Sequence, residues 1–103
     1  MRILVAEDDS ILADGLLKSL RQSGYAVDWA RNGQEADAAL AAQPYDLAIL
    51  DIGMPKMSGL EVLELVKKDP RLKEVPVLIL SNLGQDSDIQ TGLAMGAMDY
   101  LIK

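Results

Sequence analysis

The sequence predicts an α/β fold in which four helices flank a doubly wound parallel sheet of five strands. Three observations support this prediction. Five short apolar runs alternate with four segments of helical periodicity along the 103 residues. The central apolar runs contain no alternating polar residues, which is typical of strands covered on both faces. No repeat, low-complexity tract or linker interrupts the pattern, so residues 1–103 are predicted to form one domain.

The first half of the chain predicts three strands and two helices. Gly24 and Pro44 each follow a segment of helical periodicity and favour its end. Asn32 and Gly33 predict a turn before the second helix, which is rich in alanine. The second strand alternates apolar and polar residues, as a strand nearer an edge does. The predicted strands are residues 2–6, 25–30 and 46–50, and the predicted helices are residues 10–23 and 34–42.

The second half continues the alternation with two helices and two strands. Ser58 is suited to cap the third helix, whose apolar residues share one face while its charged residues lie mostly on the other. Pro70 and Pro76 bracket a loop, and Gly96 closes the weaker fourth helix. The predicted helices are residues 59–68 and 86–95, and the predicted strands are residues 77–80 and 100–102.

Composition and charge exclude several classes of function. With 10 Lys and Arg against 16 Asp and Glu, the net charge is −6, and no basic stripe is present that could bind nucleic acid. Cys and His are absent, which excludes a disulfide framework, a zinc site with thiolate or imidazole ligands, and a Ser-His triad. No apolar run approaches ~20 residues, so no membrane span is predicted. A strand begins almost at once, which argues against a signal peptide and predicts a cytoplasmic protein.

Polar or charged residues directly follow four of the five predicted strands. Ligands of open parallel sheets bind beyond the carboxyl ends of the strands. If the first, third, fourth and fifth strands are neighbours, carboxylates, a hydroxyl and an ammonium converge there in one row. The residues are Glu7, Asp8 and Asp9 after the first strand, Asp51 after the third, Ser81 after the fourth and Lys103 after the fifth.

This row offers the side chains that phosphoryl transfer needs. Two carboxylates ~4 Å apart repel each other by about 4 kcal/mol at an effective dielectric constant of ~20, so a cation between them is expected. Oxygen ligands without His or Cys favour Mg²⁺ or Mn²⁺. Asp51 beside such an ion would be a nucleophile, and Ser81 and Lys103 would stabilise the spread negative charge.

Taken singly, each residue also has a plainer interpretation. Asp9 is expected to be the N-cap of the first helix, where acidic side chains are favoured. Asp51 could be a solvated loop carboxylate, Ser81 the start of a turn, and Lys103 a surface lysine. The joint occurrence of these residues is what favours a site.

Four stretches together resemble the receiver domain of two-component response regulators. The resemblance implies a flavodoxin-like sheet with strand order 2-1-3-4-5 and a phosphoacceptor function. The combination is specific and extends over the chain, although any one stretch alone is weak. The stretches are ILVAEDD (3–9), LAILDIGMPKMSG (47–59), VLILSN (77–82) and GAMDYLIK (96–103).

The resemblance implies a metal-dependent reaction at Asp51. This residue would accept a phosphoryl group from a histidine kinase or a phosphotransfer protein. Mg²⁺, or Mn²⁺, would be held by Glu7, Asp8, Asp51 and the backbone carbonyl of Gly53. Any enzyme activity would be limited to self-phosphorylation and autodephosphorylation at Asp51.

Further roles are implied for residues near the phosphoryl group. Ser81 would bind a phosphoryl oxygen and change position as a switch, with Tyr100 as the rotating switch aromatic. Lys103 would pair with the phosphoryl group. Gly53 and Asn82 stand where family members shape access to the site, and Asn82 is larger than the small residue common there.

The sequence departs from the family pattern at its C-terminal end. Family members carry a proline and a fifth helix after the lysine, whereas this sequence stops at Lys103. The expectation is a truncated domain with one sheet face uncovered, which would form a homo-oligomer. Because residues 80–88 resemble a different branch from the N-terminal half, a chimeric or engineered origin is a further hypothesis.

Two rival functions stay open. A haloacid-dehalogenase-type phosphatase also has an Asp nucleophile at a strand end, but it needs a second acid where this sequence has Gly53. A non-phosphorylated interaction or self-assembling module could retain the receiver fold. The missing helix favours that alternative, and the complete set of site residues argues against it.

Overall fold

A computed structural model describes residues 1–54 and 57–103, so Pro55, which contributes to the predicted loop after Asp51, lies outside the described residues. Strands and helices alternate along the described chain as the sequence predicts, and most boundaries agree within one residue. The elements are β1 (Arg2–Ala6), α1 (Ser10–Gln22), β2 (Ala26–Ala30), α2 (Gly33–Ala42), β3 (Leu47–Asp51), α3 (Gly59–Lys68), β4 (Val77–Ser81), α4 (Asp86–Ala94) and β5 (Asp99–Ile102).

The strands form one parallel sheet with the order β2-β1-β3-β4-β5, which confirms the predicted fold. Ala6 of β1 pairs with Leu50 of β3, and Asp51 pairs with Leu80 of β4. Ser81 pairs in turn with Ile102 of β5. The carboxyl ends of β1, β3, β4 and β5 therefore lie side by side at one edge of the sheet.

Two apolar layers hold the helices against this sheet. On one face, Leu17 of α1 packs with Ile3, Ile49 and other side chains of the strands. On the other face, α2, α3 and α4 pack over the larger cluster, which includes Leu50 and the fully buried Leu63. Both faces of β1 and β3 are thus covered, as their uninterrupted apolar sequences indicate. All four residues of β5 are exposed, so the expected uncovered surface is confined to that edge of the sheet. Within the described residues, no helix has the length and apolar character of a membrane span.

Asp51 and Ser81 differ from the prediction in one respect, because they are the last residues of β3 and β4 and do not follow them. The backbone explains the difference. Ile52, the residue after Asp51, donates its backbone N–H to the carbonyl of Leu80 at 3.0 Å. Lys103, the residue after β5, donates its backbone N–H to the carbonyl of Ser81 at 2.8 Å. The parallel ladder therefore extends through the polar residues and holds their Cα atoms in register.

Two glycines give a matched test of packing near the end of β3. A Cβ on Gly59 would clash with the backbone carbonyl oxygen of Asp51, whereas a Cβ on Gly15 in α1 would meet no atom of residues 1–54 and 57–103 within 4 Å. We expect Gly59→Ala to lower the free energy of unfolding by about 1–3 kcal/mol through overpacking. Gly15→Ala should raise it by about 0.5–1 kcal/mol through helix propensity. Urea unfolding measures both, and a loss of stability in each variant would contradict the expectation for Gly15.

Asp28 of β2 is the centre of a polar network beside α2. Its Oδ2 accepts hydrogen bonds from the Tyr45 hydroxyl at 2.7 Å, from Gln43 Nε2 at 3.0 Å and from Arg2 Nε at 3.0 Å. The hydrogen bond from Tyr45, followed by that from Arg2, lowers the pKa of Asp28 in the folded protein. The ionised carboxylate therefore stabilises the fold.

This network predicts a pH-dependent effect of Asp28→Asn. A lowered folded-state pKa stabilises the protein above the unfolded-state pKa of ~3.9, and the contribution is lost as pH falls through the folded-state value. We expect the variant to be less stable by about 1 kcal/mol near neutral pH, with a difference that shrinks below pH ~4. Urea unfolding across pH tests this. Asp37→Asn, a change of an exposed aspartate on α2, is the control and should show no such trend.

Candidate active site

The carboxyl ends of β1 and β3 and the residue after β5 bring three charged side chains together. Lys103 Nζ lies 2.7 Å from Asp51 Oδ2 and 3.0 Å from Glu7 Oε1. Glu7 and Asp51 are only 0% and 1% exposed. Two carboxylates are thus buried around one ammonium group, which is the convergence that the strand ends predict.

The two buried carboxyl groups have opposite pKa shifts. Burial, together with a hydrogen bond to Asp51, raises the pKa of Glu7 to about 7. Burial alone would also raise the pKa of Asp51, but hydrogen bonds from Lys103, from Glu7 and from the Gly53 N–H at 2.9 Å keep it below its usual range. Asp51 is therefore ionised at neutral pH, as a nucleophile must be, while a carboxyl group with the raised pKa of Glu7 is partly protonated there.

The acidic residues fit a hard divalent cation. Glu7, Asp8 and Asp51 offer carboxylate oxygens within 4.8 Å of one another, and Asp8 is exposed. Glu7 Oε1 is buried and has no hydrogen-bond partner among the described residues, although the Lys103 ammonium is near. Carboxylate oxygens with an open, solvated side suit Mg²⁺, which usually keeps several waters. Coordination of the metal by the Gly53 backbone carbonyl stays a prediction.

Ser81 is fully buried at the end of β4, where its hydroxyl is engaged by the following loop. The Oγ lies 3.0 Å from the carbonyl oxygen of Asn82 and 3.1 Å from Oε1 of Gln85. The same Gln85 oxygen accepts the backbone N–H of Asn82 at 2.7 Å. Sequence reasoning missed Gln85, because a lone polar residue before a weakly periodic helix gives no spacing signal.

Gly53 and Asn82, the residues predicted to shape access, closely follow Asp51 and Ser81 in the chain. A Cβ on Gly53 would be 3.6 Å from Asp51 Oδ1 and 3.9 Å from Gln85 Nε2. Asn82 is exposed. The absent side chain at Gly53 therefore leaves space directly beside the carboxylate of Asp51.

Tyr100 lies on β5, and its predicted role as the switch aromatic stays a prediction. It is 40% exposed and lines a surface groove of about 440 Å³ between α4 and β5. The groove is lined by Leu83, Asp86, Ile89, Gln90, Tyr100 and Ile102. The structure thus brings Glu7, Asp8, Asp51 and Lys103 together and leaves Tyr100 outside their cluster.

Two further contacts fix the end of β1. Asp9 is the N-cap of α1, as predicted, because its Oδ1 accepts the N–H groups of Ile11 at 3.0 Å and Leu12 at 3.3 Å. The indole N–H of Trp29 donates to the backbone carbonyl of Glu7 at 2.8 Å, a contact that no sequence pattern indicated. These contacts fix the backbone at Glu7 and direct the Asp9 side chain to α1, away from Asp51.

A family model of the response regulator receiver domain matches residues 3–103. The chain belongs to this family. Transcriptional regulatory protein QseB of Haemophilus influenzae is 44% identical over 103 residues, which are 100% of this chain and 46% of that protein. The receiver domain therefore spans less than half the length of that relative.

Solved structures of receiver proteins share the fold. The Francisella response regulator 1452 receiver domain is 31% identical, with a TM-score of 0.89 over 99% of this chain and 83% of that one. The Mn²⁺-bound form of response regulator Rcp1 is 29% identical, with a TM-score of 0.90 over 99% of this chain and 80% of that one. Receiver domains generally bind Mg²⁺ at an acidic pocket and interact with histidine kinases or phosphotransfer proteins.

Proposed function

We propose that this receiver domain is a phosphoacceptor in the cytoplasm and that Asp51 is the residue phosphorylated. The observation that carries the proposal is the Lys103 ammonium 2.7 Å from Oδ2 of the buried Asp51. An Asp51 oxygen would attack the phosphorus of a phosphohistidine on a histidine kinase or phosphotransfer protein. The P–N bond breaks, the imidazole leaves, and an acyl phosphate forms on Asp51.

The proposed metal ligands are Glu7, Asp8, Asp51 and the Gly53 carbonyl. The bound Mg²⁺ or Mn²⁺ would neutralise charge on the phosphoryl oxygens and the carboxylates. The buried Oε1 of Glu7 supports this assignment, because it accepts no hydrogen bond among the described residues and has only the Lys103 ammonium, 3.0 Å away, to balance its charge. So does the similarity to Rcp1, whose solved structure is an Mn²⁺-bound form.

The remaining residues would stabilise the phosphorylated state. Lys103 already pairs with Asp51 and would pair with a phosphoryl oxygen instead, because its ammonium is the nearest cation among the described side chains. The Ser81 hydroxyl would turn from its loop acceptors to another phosphoryl oxygen. Tyr100 is proposed as the second switch residue, and it would move within the groove that it lines beside α4.

Intact mass spectrometry after incubation with acetyl phosphate tests the proposal. One added phosphoryl group per chain is expected with Mg²⁺ and none with EDTA. The alternative, a non-phosphorylated interaction or self-assembling module, predicts no added mass in either case.

Leu101 and Ile102 of β5 are 45% and 42% exposed, which favours an interaction surface. Sedimentation across micromolar concentrations tests the predicted homo-oligomer separately.

The metal site predicts that Mg²⁺ stabilises the fold. A ligand at ~100 times its dissociation constant adds about 2.7 kcal/mol, so thermal unfolding should move to higher temperature in millimolar Mg²⁺. Asp8→Asn should reduce that shift, because it removes a carboxylate from the cluster. Asp37→Asn, at an exposed position of α2, is the matched control and should keep the full shift. An equal shift in all three proteins would place the ion elsewhere.

A further inference from the structure

The side-chain oxygen of Gln85 lies within hydrogen-bond distance of two donors at the end of β4. Its Oε1 accepts the backbone N–H of Asn82 at 2.7 Å and lies 3.1 Å from the Ser81 hydroxyl. The short contact fixes the orientation of the amide, because a backbone N–H can only donate and its partner must be the oxygen. The Gln85 oxygen thus holds the Asn82 N–H and shares the single proton of the Ser81 hydroxyl with the Asn82 carbonyl oxygen, which lies 3.0 Å from Ser81 Oγ.

The same amide and the carboxylate of Asp51 border one small space next to Gly53. The position next to Gly53 that a Cβ would fill is 3.6 Å from Asp51 Oδ1 and 3.9 Å from Gln85 Nε2. Asp51 and Ser81 end adjacent strands, and Ser81 lies one residue beyond Leu80, the partner of Asp51 in the ladder. A phosphoryl oxygen on Asp51 that reached toward β4 would meet the donors that Gln85 now occupies.

We propose that Gln85 is an intramolecular competitor whose amide oxygen fills the place of a phosphoryl oxygen in the unphosphorylated domain. The inference rests on the proposed phosphorylation of Asp51. Phosphorylation would displace the Gln85 amide, freeing the Ser81 hydroxyl and the Asn82 N–H to bind the phosphoryl group. Gln85 therefore opposes phosphorylation through Ser81 and Asn82 and does not itself touch a reacting atom.

Displacement of Gln85 also has a direct route to α4. Gln85 is the N-cap residue of α4, and its side chain makes no capping hydrogen bond because it is directed to β4. When the amide leaves Ser81, the N-terminus of α4 loses the side-chain hydrogen bonds that join it to the end of β4. The groove beside that turn, which Tyr100 lines, would then change shape.

Beryllium fluoride with Mg²⁺ is a suitable probe, because it forms a phosphoryl mimic on an aspartate without group transfer. We expect Gln85→Ala to bind it about 3- to 10-fold more tightly than the wild type, the factor that corresponds to losing one or two competing hydrogen bonds. Gln85→Glu keeps the acceptor oxygen and adds negative charge beside Asp51, so it should bind more weakly. Gln34→Ala, the same deletion at an exposed position of α2, should match the wild type.

Isothermal titration calorimetry in saturating Mg²⁺ measures these affinities. Opposite changes in Gln85→Ala and Gln85→Glu support competition, whereas a loop with a purely structural role would bind more weakly in both variants. Equal or weaker binding by Gln85→Ala, with normal binding by the wild type, overturns the competition alone. Absence of binding by every protein overturns the proposed function as well. Hydrogen exchange of the Asn82 amide should be faster in Gln85→Ala, and an unchanged rate would show that the contact is not formed in solution.

Discussion

Asp51→Asn is expected to abolish phosphoryl incorporation from acetyl phosphate, whereas Asp9→Asn should leave it unchanged. The two substitutions make the same chemical change within the acidic residues that the sequence places at strand ends. Asp51 is buried, ionised and 2.7 Å from the Lys103 ammonium, so an amide there removes the nucleophile. Loss of the attacking group typically costs ~10⁴-fold or more in rate.

Asp9 is a suitable control because its carboxylate already has a structural role. Its Oδ1 caps α1 through the N–H groups of Ile11 and Leu12, and asparagine is an equally good N-cap. Intact mass after acetyl phosphate and Mg²⁺ compares the variants, and circular dichroism checks that both are folded. Phosphorylated Asp51→Asn protein, or unphosphorylated Asp9→Asn protein, would show that it is wrong to assign phosphorylation to Asp51 and only helix capping to Asp9.

The sequence predicted the fold well because its main determinant is the burial of apolar side chains. The run of 47–50, for example, is apolar without alternation, and the two apolar layers cover it from both faces. The family resemblance supplied the strand order, which periodicity alone does not contain. The capping role of Asp9 could also be predicted, because an N-cap depends on local backbone geometry.

The loop beside the site could not be predicted in the same way. Gln85 lies near Asp51 only because β3 and β4 are adjacent and because Gly53 leaves space there. The hydrogen bond from Trp29 to Glu7 likewise joins residues 22 positions apart. Such contacts depend on tertiary placement of single polar groups, on which hydrophobic periodicity carries no information. The placement of Tyr100 in the α4–β5 groove belongs to the same class.

Removal of the buried ammonium is expected to have the largest effect on stability. Lys103 is 18% exposed and pairs with Asp51, which is 1% exposed, at 2.7 Å. Lys68 and Glu64 on α3 form an ion pair with the same 2.7 Å separation, but these side chains are 72% and 54% exposed. The two lysines therefore differ in burial at an equal distance from their carboxylates.

Lys103→Ala should lower the free energy of unfolding by about 3–5 kcal/mol in metal-free buffer, because it leaves buried carboxylate charge without a partner. Lys68→Ala should cost less than about 1 kcal/mol, as exposed pairs do. Asp51→Asn in the Lys103→Ala background should restore part of the loss, since it removes the charge that the lysine balanced. Urea unfolding of the four proteins in EDTA gives these values. A small, equal loss for both lysine variants would mean that water reaches Asp51 and Glu7, and the buried charge cluster would then be too solvated to hold Asp51 as the reactive carboxylate.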